Sequence, residues 1–401
     1  MKLHHLTITC NDALKAKIKF TSLYSFKAYG YLVVNKSKDI IEVLRHGDIF
    51  ILLKQSSEQI ADTVDDVAFV VEDLETICQN TLNNGSIVVQ SPRTESCQTY
   101  SGVCKPCKNC KSNLTPCLHI ISKAIVKSPI GNLQHTILNK TNFHGDFLPG
   151  FVSYEESLVD QEKNNEMFDC IDHVALAVPC GETMKHIMWY KECLQLFNFY
   201  CNRLEKDDSL VIRSKMGQGI RLYTLVAHPC SEAGLITEEH EIGNERFKFV
   251  FCESLELEGK DQINSFLKKH NGPGVQHVAF KSSAIVQDTK IWHQNGVKFL
   301  SPPIEYYNII DTTLNKLETR QSGLSSSVQD LGILIDVEKI SNTDGDKEEE
   351  GFLYQVFTSP ILPSETFFFE LIQRENSHGF GAGNVAALWN AVEMSNMKGI
   401  R

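Results

Sequence analysis

A membrane-spanning helix needs roughly 18 to 20 consecutive apolar residues, and no such run occurs in the 401 residues of this chain. A basic stripe is missing as well. The formal charge is -11 at pH 7, which, with no recognition motif present, excludes a generic nucleic-acid surface. No charged segment followed by an apolar core opens the sequence as a signal peptide would; Lys15, Lys17 and Lys19 give only a weak likeness to a mitochondrial presequence. The 13 cysteines, odd in number and scattered, therefore read as reduced thiols of an intracellular protein rather than as a disulfide framework. What the chain does contain is 42% apolar residues in short recurrent runs, enough for two or three domains.

Those runs repeat. Four segments open on one pattern: Leu3-His4-His5-Leu6-Thr7-Ile8, Val64-Asp65-Asp66-Val67-Ala68-Phe69, Ile171-Asp172-His173-Val174-Ala175-Leu176 and Val275-Gln276-His277-Val278-Ala279-Phe280. One position is filled in turn by His5, Asp66, His173 and His277. Each opening segment reads as a buried strand, followed by a helix (11–20, 73–83, 182–193 and 283–295) and then by further strands. In the third helix Met184, Ile187, Met188 and Cys193 suggest the packed face. A unit this small cannot cover its own sheet. The repetition therefore predicts an α+β protein of paired modules whose curved sheets form open barrels around a cleft. An N-terminal half at 1–150, a linker at 151–168 and a C-terminal half at 169–401 ending on a helix follow from the same reading.

His173 and His277 occupy equivalent places in two repeats, and Glu370 lies in the closing apolar strand Phe367-Phe368-Phe369-Glu370-Leu371-Ile372. Strands that open and close modules lie side by side in such a barrel, so side chains far apart in sequence converge in its interior. Two imidazoles and one carboxylate on one face leave coordination positions open, a donor set suited to ferrous iron with substrate and dioxygen. A closed structural zinc site wants a fourth protein ligand. A lone histidine in an apolar strand is ordinarily a hydrogen-bonded core residue; equivalent placement in two copies argues for more. Glu370 is costly to bury unless ligated or paired, and the competing reading is an ion pair with Arg374 or Arg320.

These residues carry a resemblance to the 4-hydroxyphenylpyruvate dioxygenase family of the vicinal oxygen chelate superfamily. Ile171-Asp172-His173 resembles the family's first ligand segment, and Gly272-Pro273-Gly274-Val275-Gln276-His277 its second. Phe367 to Arg374 resembles its glutamate strand, and Gly379-Phe380-Gly381-Ala382-Gly383-Asn384 the segment entering its last helix. Further text, including Glu253-Ser254-Leu255 and Ala386-Ala387-Leu388-Trp389, is similar to the dioxygenase-like branch of the family. The resemblance implies paired vicinal-oxygen-chelate modules (βαβββ repeats) with Fe(2+) held by His173, His277 and Glu370. It also implies an aromatic 2-oxo acid and dioxygen as reactants, a homodimer, and an N-terminal half without metal. The branch implies 4-hydroxymandelate as product, made in mitochondria for the coenzyme Q headgroup; homogentisate formation, a non-catalytic scaffold and a cytoplasmic location are the alternatives.

By the same resemblance Gln355 orients the substrate, and Gln262, Ser214, Cys252 and Phe380 line it. Cys252 stands where the ordinary dioxygenase has an asparagine amide. Plainer readings compete: a helix-surface residue for Gln262, a strand-end hydroxyl for Ser214, core packing for Phe380, Tyr306 and Tyr307, and a helix cap for Asn384. Cys104, Cys107, Cys110 and Cys117 with His119 have spacings too tight for two zinc knuckles, and read as an oxidation-prone loop.

Overall fold

The computed structural model describes residues 1–34, 39–56, 62–96, 120–143, 145, 147–154, 167–199, 209–213, 219–227, 247–259, 261–341 and 348–399. The cysteine-rich stretch with His119, Ser214 and residues 155–166 of the linker lie outside them. Two compact units emerge from the chain: Met1–Glu166 together with Met184–Phe197, and Met167–Thr183 together with Asn198–Arg401.

The first unit is built from β1 (Lys2–Cys10), α1 (Ala13–Leu23), β2 (Lys27–Val34), β3 (Asp39–His46), β4 (Ile49–Gln55), β5 (Thr63–Val70), α2 (Leu74–Asn83), β6 (Val88–Ser96), β7 (Ile120–Lys127), β8 (Gln134–Asn139) and β9 (Phe151–Ser153). Its sheet runs β6-β7-β8-β5-β1-β4-β3-β2-β9. The second unit opens with β10 (Cys170–Val178), after which the chain forms α3 (Thr183–Leu194), counted almost entirely with the first unit. There follow β11 (Phe197–Asn198), β12 (Leu210–Arg213), β13 (Gly219–Val226), β14 (Lys248–Ser254), α4 (Gln262–His270), β15 (Gly274–Lys281) and α5 (Ile285–Gln294). The chain closes with α6 (Ile304–Ile309), α7 (Asp311–Arg320), α8 (Leu324–Asp330), β16 (Leu334–Ser341), β17 (Glu348–Phe357), β18 (Phe368–Glu375) and α9 (Ala382–Gly399). That sheet runs β11-β13-β14-β10-β15-β18-β17-β16, with β12 on β13.

Both sheets are curled and follow one plan, four βαβββ-like repeats in pairs. The opening strand of each repeat pairs parallel with its closing strand, β1 with β4, β5 with β8, β10 with β14 and β15 with β18. Opening strands pair antiparallel with each other, β1 with β5 and β10 with β15. The central strands of each sheet are paired on both edges, and consecutive residues along them are mostly buried, which is why they read as continuous apolar runs. In the second unit one face of β15 and β18 packs on α5, with Phe280 edge-on to Phe369 (ring centroids 4.8 Å) and Trp292 alongside. The opposite face is left for His277 and Glu370.

The packed face of α3 differs from expectation. Ile187, Tyr190, Cys193 and Leu194 are buried, whereas Met184 and Met188 are about half exposed, at 46% and 54%. The helix docks within the first unit by polar as well as apolar contact: the Tyr190 hydroxyl meets His135 Nε2 at 2.9 Å and Ser128 Oγ at 3.1 Å.

Asp66, in the place that His277 fills in its repeat, accepts hydrogen bonds from the Thr136 amide (2.8 Å) and the Thr136 hydroxyl. Burial pushes its carboxyl up to about 7, against the lowering effect of those bonds. The folded chain therefore holds a proton there that the unfolded chain releases from about pH 4 upward. Stability from this group falls as pH rises from its ordinary value through about 7. Asp66→Asn, which keeps the acceptor, should stabilise the chain on the order of 2 kcal/mol above pH 7 and by little at pH 4. Denaturant melts at the two pH values check this; equal gains at both would contradict it.

Candidate metal centre

Two irregularities in one strand pair build the centre. The antiparallel register of β10 on β15 slips between Ile171 and His173, and slips again opposite Gln276. At such a bulge two consecutive residues face one partner residue and their side chains lean the same way. Asp172 is thereby brought beside the ring of His173, where its Oδ1 accepts from Nδ1 at 2.8 Å. Gln276 Oε1 similarly faces His277 Nδ1 at 3.3 Å. An acceptor at Nδ1 fixes the tautomer that leaves the Nε2 lone pair pointing inward, as metal-ligating imidazoles require. The same slips occur at His4 and Asp65 in the first unit, so the bulges belong to the repeat itself.

Register completes the arrangement. His173 pairs with Ala279, and Ala279 pairs with Glu370 on the next strand, placing the three in one row across β10, β15 and β18. The small side chain of Ala279, fully buried, lets the longer ones on either side meet above it. His277 lies two residues along β15 on the same face. Glu370 Oε2 is 3.4 Å from His173 Nε2 and 3.3 Å from His277 Nε2, and the three atoms lie within 4.8 Å of one another. Metal–ligand bonds of about 2.1 Å at right angles separate neighbouring donors by roughly 3 Å, so the donor set fits a single divalent ion such as ferrous iron. His173 and Glu370 are buried, and His277 is nearly so.

The charge pattern favours a cation. Burial alone would raise the Glu370 carboxyl, but hydrogen bonds and charge from His173 and His277 hold it down at about 2. Asp172 is likewise pushed up by burial, yet Arg374, Lys248 and the bond from His173 bring it well below the usual carboxylate range. Against its own burial, His173 is raised by its contacts with Asp172 and Glu370, while for His277 burial prevails and lowers it. Two ionised carboxylates flank the first imidazole, and one of them faces the second. Neither Arg374 nor Arg320 pairs with Glu370: Arg374 binds Asp172 at 3.0 Å and Arg320 binds Glu375 at 3.0 Å.

The remaining oxygen of Glu370 is held from behind. Gln355 Nε2 donates to Oε1 at 2.8 Å, Asn384 Nδ2 donates to Gln355 Oε1 at 2.8 Å, and the Tyr306 hydroxyl donates to Asn384 Oδ1 at 2.8 Å. The Ile335 amide donates to Tyr306 Oη at 2.8 Å, so every donor in this line points toward the carboxylate. Gln355 thus has its carbonyl oxygen and one amide hydrogen engaged in this line. Asn384 and Tyr306, expected as a cap and as packing, belong to the same line. The cap role falls to Asp336, which accepts from the Gly383 amide at 2.8 Å.

Around the centre the interior is apolar. Ala175, Ala177, Val250, Cys252, Ile220, Leu222, Ile212, Ile263, Phe266 and Phe380 form one cluster, with Trp389 and Phe199 packed against it. Phe380 meets the His173 ring edge-on at 5.3 Å. Cys252 pairs in register with Ala177, and burial, then the nearby Glu370 charge, pushes its thiol up to about 12. It offers a neutral wall where an amide was the family pattern. Gln262 does not face this cluster. It is exposed at the first position of α4, and Ile263 and Phe266 of that helix face inward instead.

Two curled sheets of βαβββ-like repeats, one carrying a two-histidine, one-carboxylate centre, define a metal-binding vicinal oxygen chelate protein. No family model matches the chain. The 4-hydroxyphenylpyruvate dioxygenase-like protein of Homo sapiens is 33% identical over 276 residues, 67% of this chain and 66% of that protein. The 4-hydroxyphenylpyruvate dioxygenase of Xenopus tropicalis is 26% identical over 409 residues, 98% and 91% of the two chains. Among solved structures, a triple mutant of 4-hydroxymandelate synthase from Streptomyces coelicolor has the same fold, with a TM-score of 0.71 at 21% identity over 98% of each chain. The chain belongs to the 4-hydroxyphenylpyruvate dioxygenase-like family of the vicinal oxygen chelate proteins. No described helix is long and apolar enough to cross a membrane.

Proposed function

We propose that the chain is an iron-dependent dioxygenase that converts 4-hydroxyphenylpyruvate and dioxygen into 4-hydroxymandelate and carbon dioxide. The observation that carries this reading is the meeting of His173 Nε2, His277 Nε2 and Glu370 Oε2 on the inner face of one sheet. When bound there, ferrous iron supplies open positions for a 2-oxo acid and dioxygen, and the redox capacity to join them. The protein's own part is positional. Asp172 and Gln276 hold the two imidazoles by their outer nitrogens, and Gln355 turns the free oxygen of Glu370 inward. Phe380 and the apolar cluster exclude water from the reacting carbon.

Which carbon is hydroxylated depends on where the ring lies, to within about an ångström. Cys252 supports the benzylic outcome, because its buried thiol removes a polar anchor that would draw the ring to another position. On this reading the product serves coenzyme Q headgroup synthesis and the protein works in mitochondria. The full-length likeness to named 4-hydroxyphenylpyruvate dioxygenases favours the second reading, homogentisate. The two products are isomers of equal mass. Anaerobic loading with ferrous iron, addition of substrate and dioxygen, and identification of the product by proton NMR separates them; homogentisate would overturn the proposal.

Gln355→Leu keeps the volume and removes the amide. Outer partners of metal ligands contribute about 10–100-fold in metal affinity, so iron binding should weaken by that factor while the melting temperature shifts by only a few degrees. Unchanged affinity in equilibrium dialysis would remove Gln355 from its positioning role.

A further inference from the structure

Arg374 stands between the metal centre and the segment that covers it. Its Nε and Nη2 donate to Asp172 Oδ2 and Oδ1, both at 3.0 Å, in the two-pronged geometry that only a guanidinium supplies. Its Nη1 donates to the carbonyl of Gly379, and its Cζ lies 5.2 Å from the centre of the Phe380 ring. Asp172 Oδ1, gripped by Arg374, is the atom that accepts from His173 Nδ1, and the Phe380 ring meets that same imidazole edge-on at 5.3 Å. One side chain therefore touches the ligand's partner on one side and the cover on the other. Lys248, 3.6 Å from Asp172 Oδ2, is a single point of charge and lacks the two-pronged fork.

We infer that Arg374 is a positioning residue that couples the seating of Gly379 and Phe380 over the centre to the orientation of the His173 ligand. If the 378–384 segment lifts, the guanidinium loses a carbonyl and a ring face, and its two-pronged hold on Asp172 loosens. If the metal draws His173 into place, Asp172 and Arg374 are fixed and the segment is held down. Coupling of this kind is reciprocal by thermodynamic necessity. The segment carries its own reporters: the amides of His378 and Gly379 donate to Glu338 Oε2 at 2.9 and 3.2 Å, and that of Gly383 donates to Asp336 Oδ2 at 2.8 Å. Their hydrogen exchange reads whether the segment is seated.

The inference rests on the metal reading above, and its test uses cobaltous ion with the full chain, so that binding is seen by its visible spectrum without turnover. In the parent chain, cobalt should bind one per chain and slow exchange at 378–384. In Arg374→Lys, which keeps the charge but cannot span both oxygens and the carbonyl, affinity should fall about tenfold, the spectrum should change, and the cobalt-dependent slowing should vanish. A merely structural or charge role would be rescued by lysine. The variant that binds cobalt as tightly as the parent, with the same spectrum and the same slowing, overturns the inference. Should Arg374→Lys lose protection in β10 and β15 as well, Asp172→Asn breaks the link from its other end and must also abolish the slowing; retention of it there is equally fatal. A parent chain that takes up no cobalt overturns the metal centre itself, and this inference with it.

Discussion

Glu370→Gln should abolish ferrous-iron binding and with it turnover. The substitution is nearly isosteric, but it removes the one negative charge among the three donors and leaves two neutral imidazoles to hold a divalent ion. A metal centre stabilises its transition state by several kcal/mol, so activity should fall by about a thousandfold or more. The metal-free chain gives an independent readout. Glu370 is held at about 2 in the folded state against an ordinary 4.5. Its contribution to stability is therefore fully present above pH 4.5 and is lost as pH falls through 2. Acid unfolding of metal-free Glu370→Gln should lack that component. A variant that still takes up one iron per chain and turns over within tenfold of the parent would contradict the ligand assignment.

The second large effect is expected at Gly381, which touches no ligand. Its φ is +73°, a conformation costing a residue with a Cβ roughly 1–2 kcal/mol. A Cβ there would also fall inside the contact radius of Gln355 Oε1, the atom that accepts from Asn384. Gly381→Ala must push Gln355 off its line, and Gln355 is what turns Glu370. We expect iron affinity to drop by about 10–100-fold and turnover at limiting iron to fall with it. Stability should drop by no more than about 2 kcal/mol. Saturating iron should restore part of the activity, which a global folding defect would not permit. Affinity equal to that of the parent would show that the Gln355 amide has room to yield.

The ligand triad was legible because its physics is written in sequence. Consecutive residues along strands β10, β15 and β18 are mostly buried, so they appear as apolar runs in which a charged or basic residue stands out. Equivalent placement of His173 and His277 follows from the repeat. Asp172 was not legible, because alternation places the residue before a strand histidine on the opposite face, and only the register slip turns it back. Sequence offers Arg374 only as a competing partner for Glu370; its actual partner, Asp172, lies two strands away in the sheet. A cap at Asn384 presumes a helix that begins at Val385; the helix starts at Ala382, and Asp336 accepts from its Gly383 amide. Helices α6, α7 and α8 left almost no periodic signal, since α7 buries only Leu314 and Leu317 and α8 only Val328. The Cys252 substitution was visible in sequence, but its neutral, walled-in thiol needed the register with Ala177 to be seen.

The most direct measurement is a crystal grown anaerobically with ferrous iron, with diffraction data collected on both sides of the iron absorption edge. The account predicts one anomalous peak, within about 2.0–2.3 Å of His173 Nε2, His277 Nε2 and Glu370 Oε2. No peak between those three atoms, or a peak held by other side chains, would contradict it.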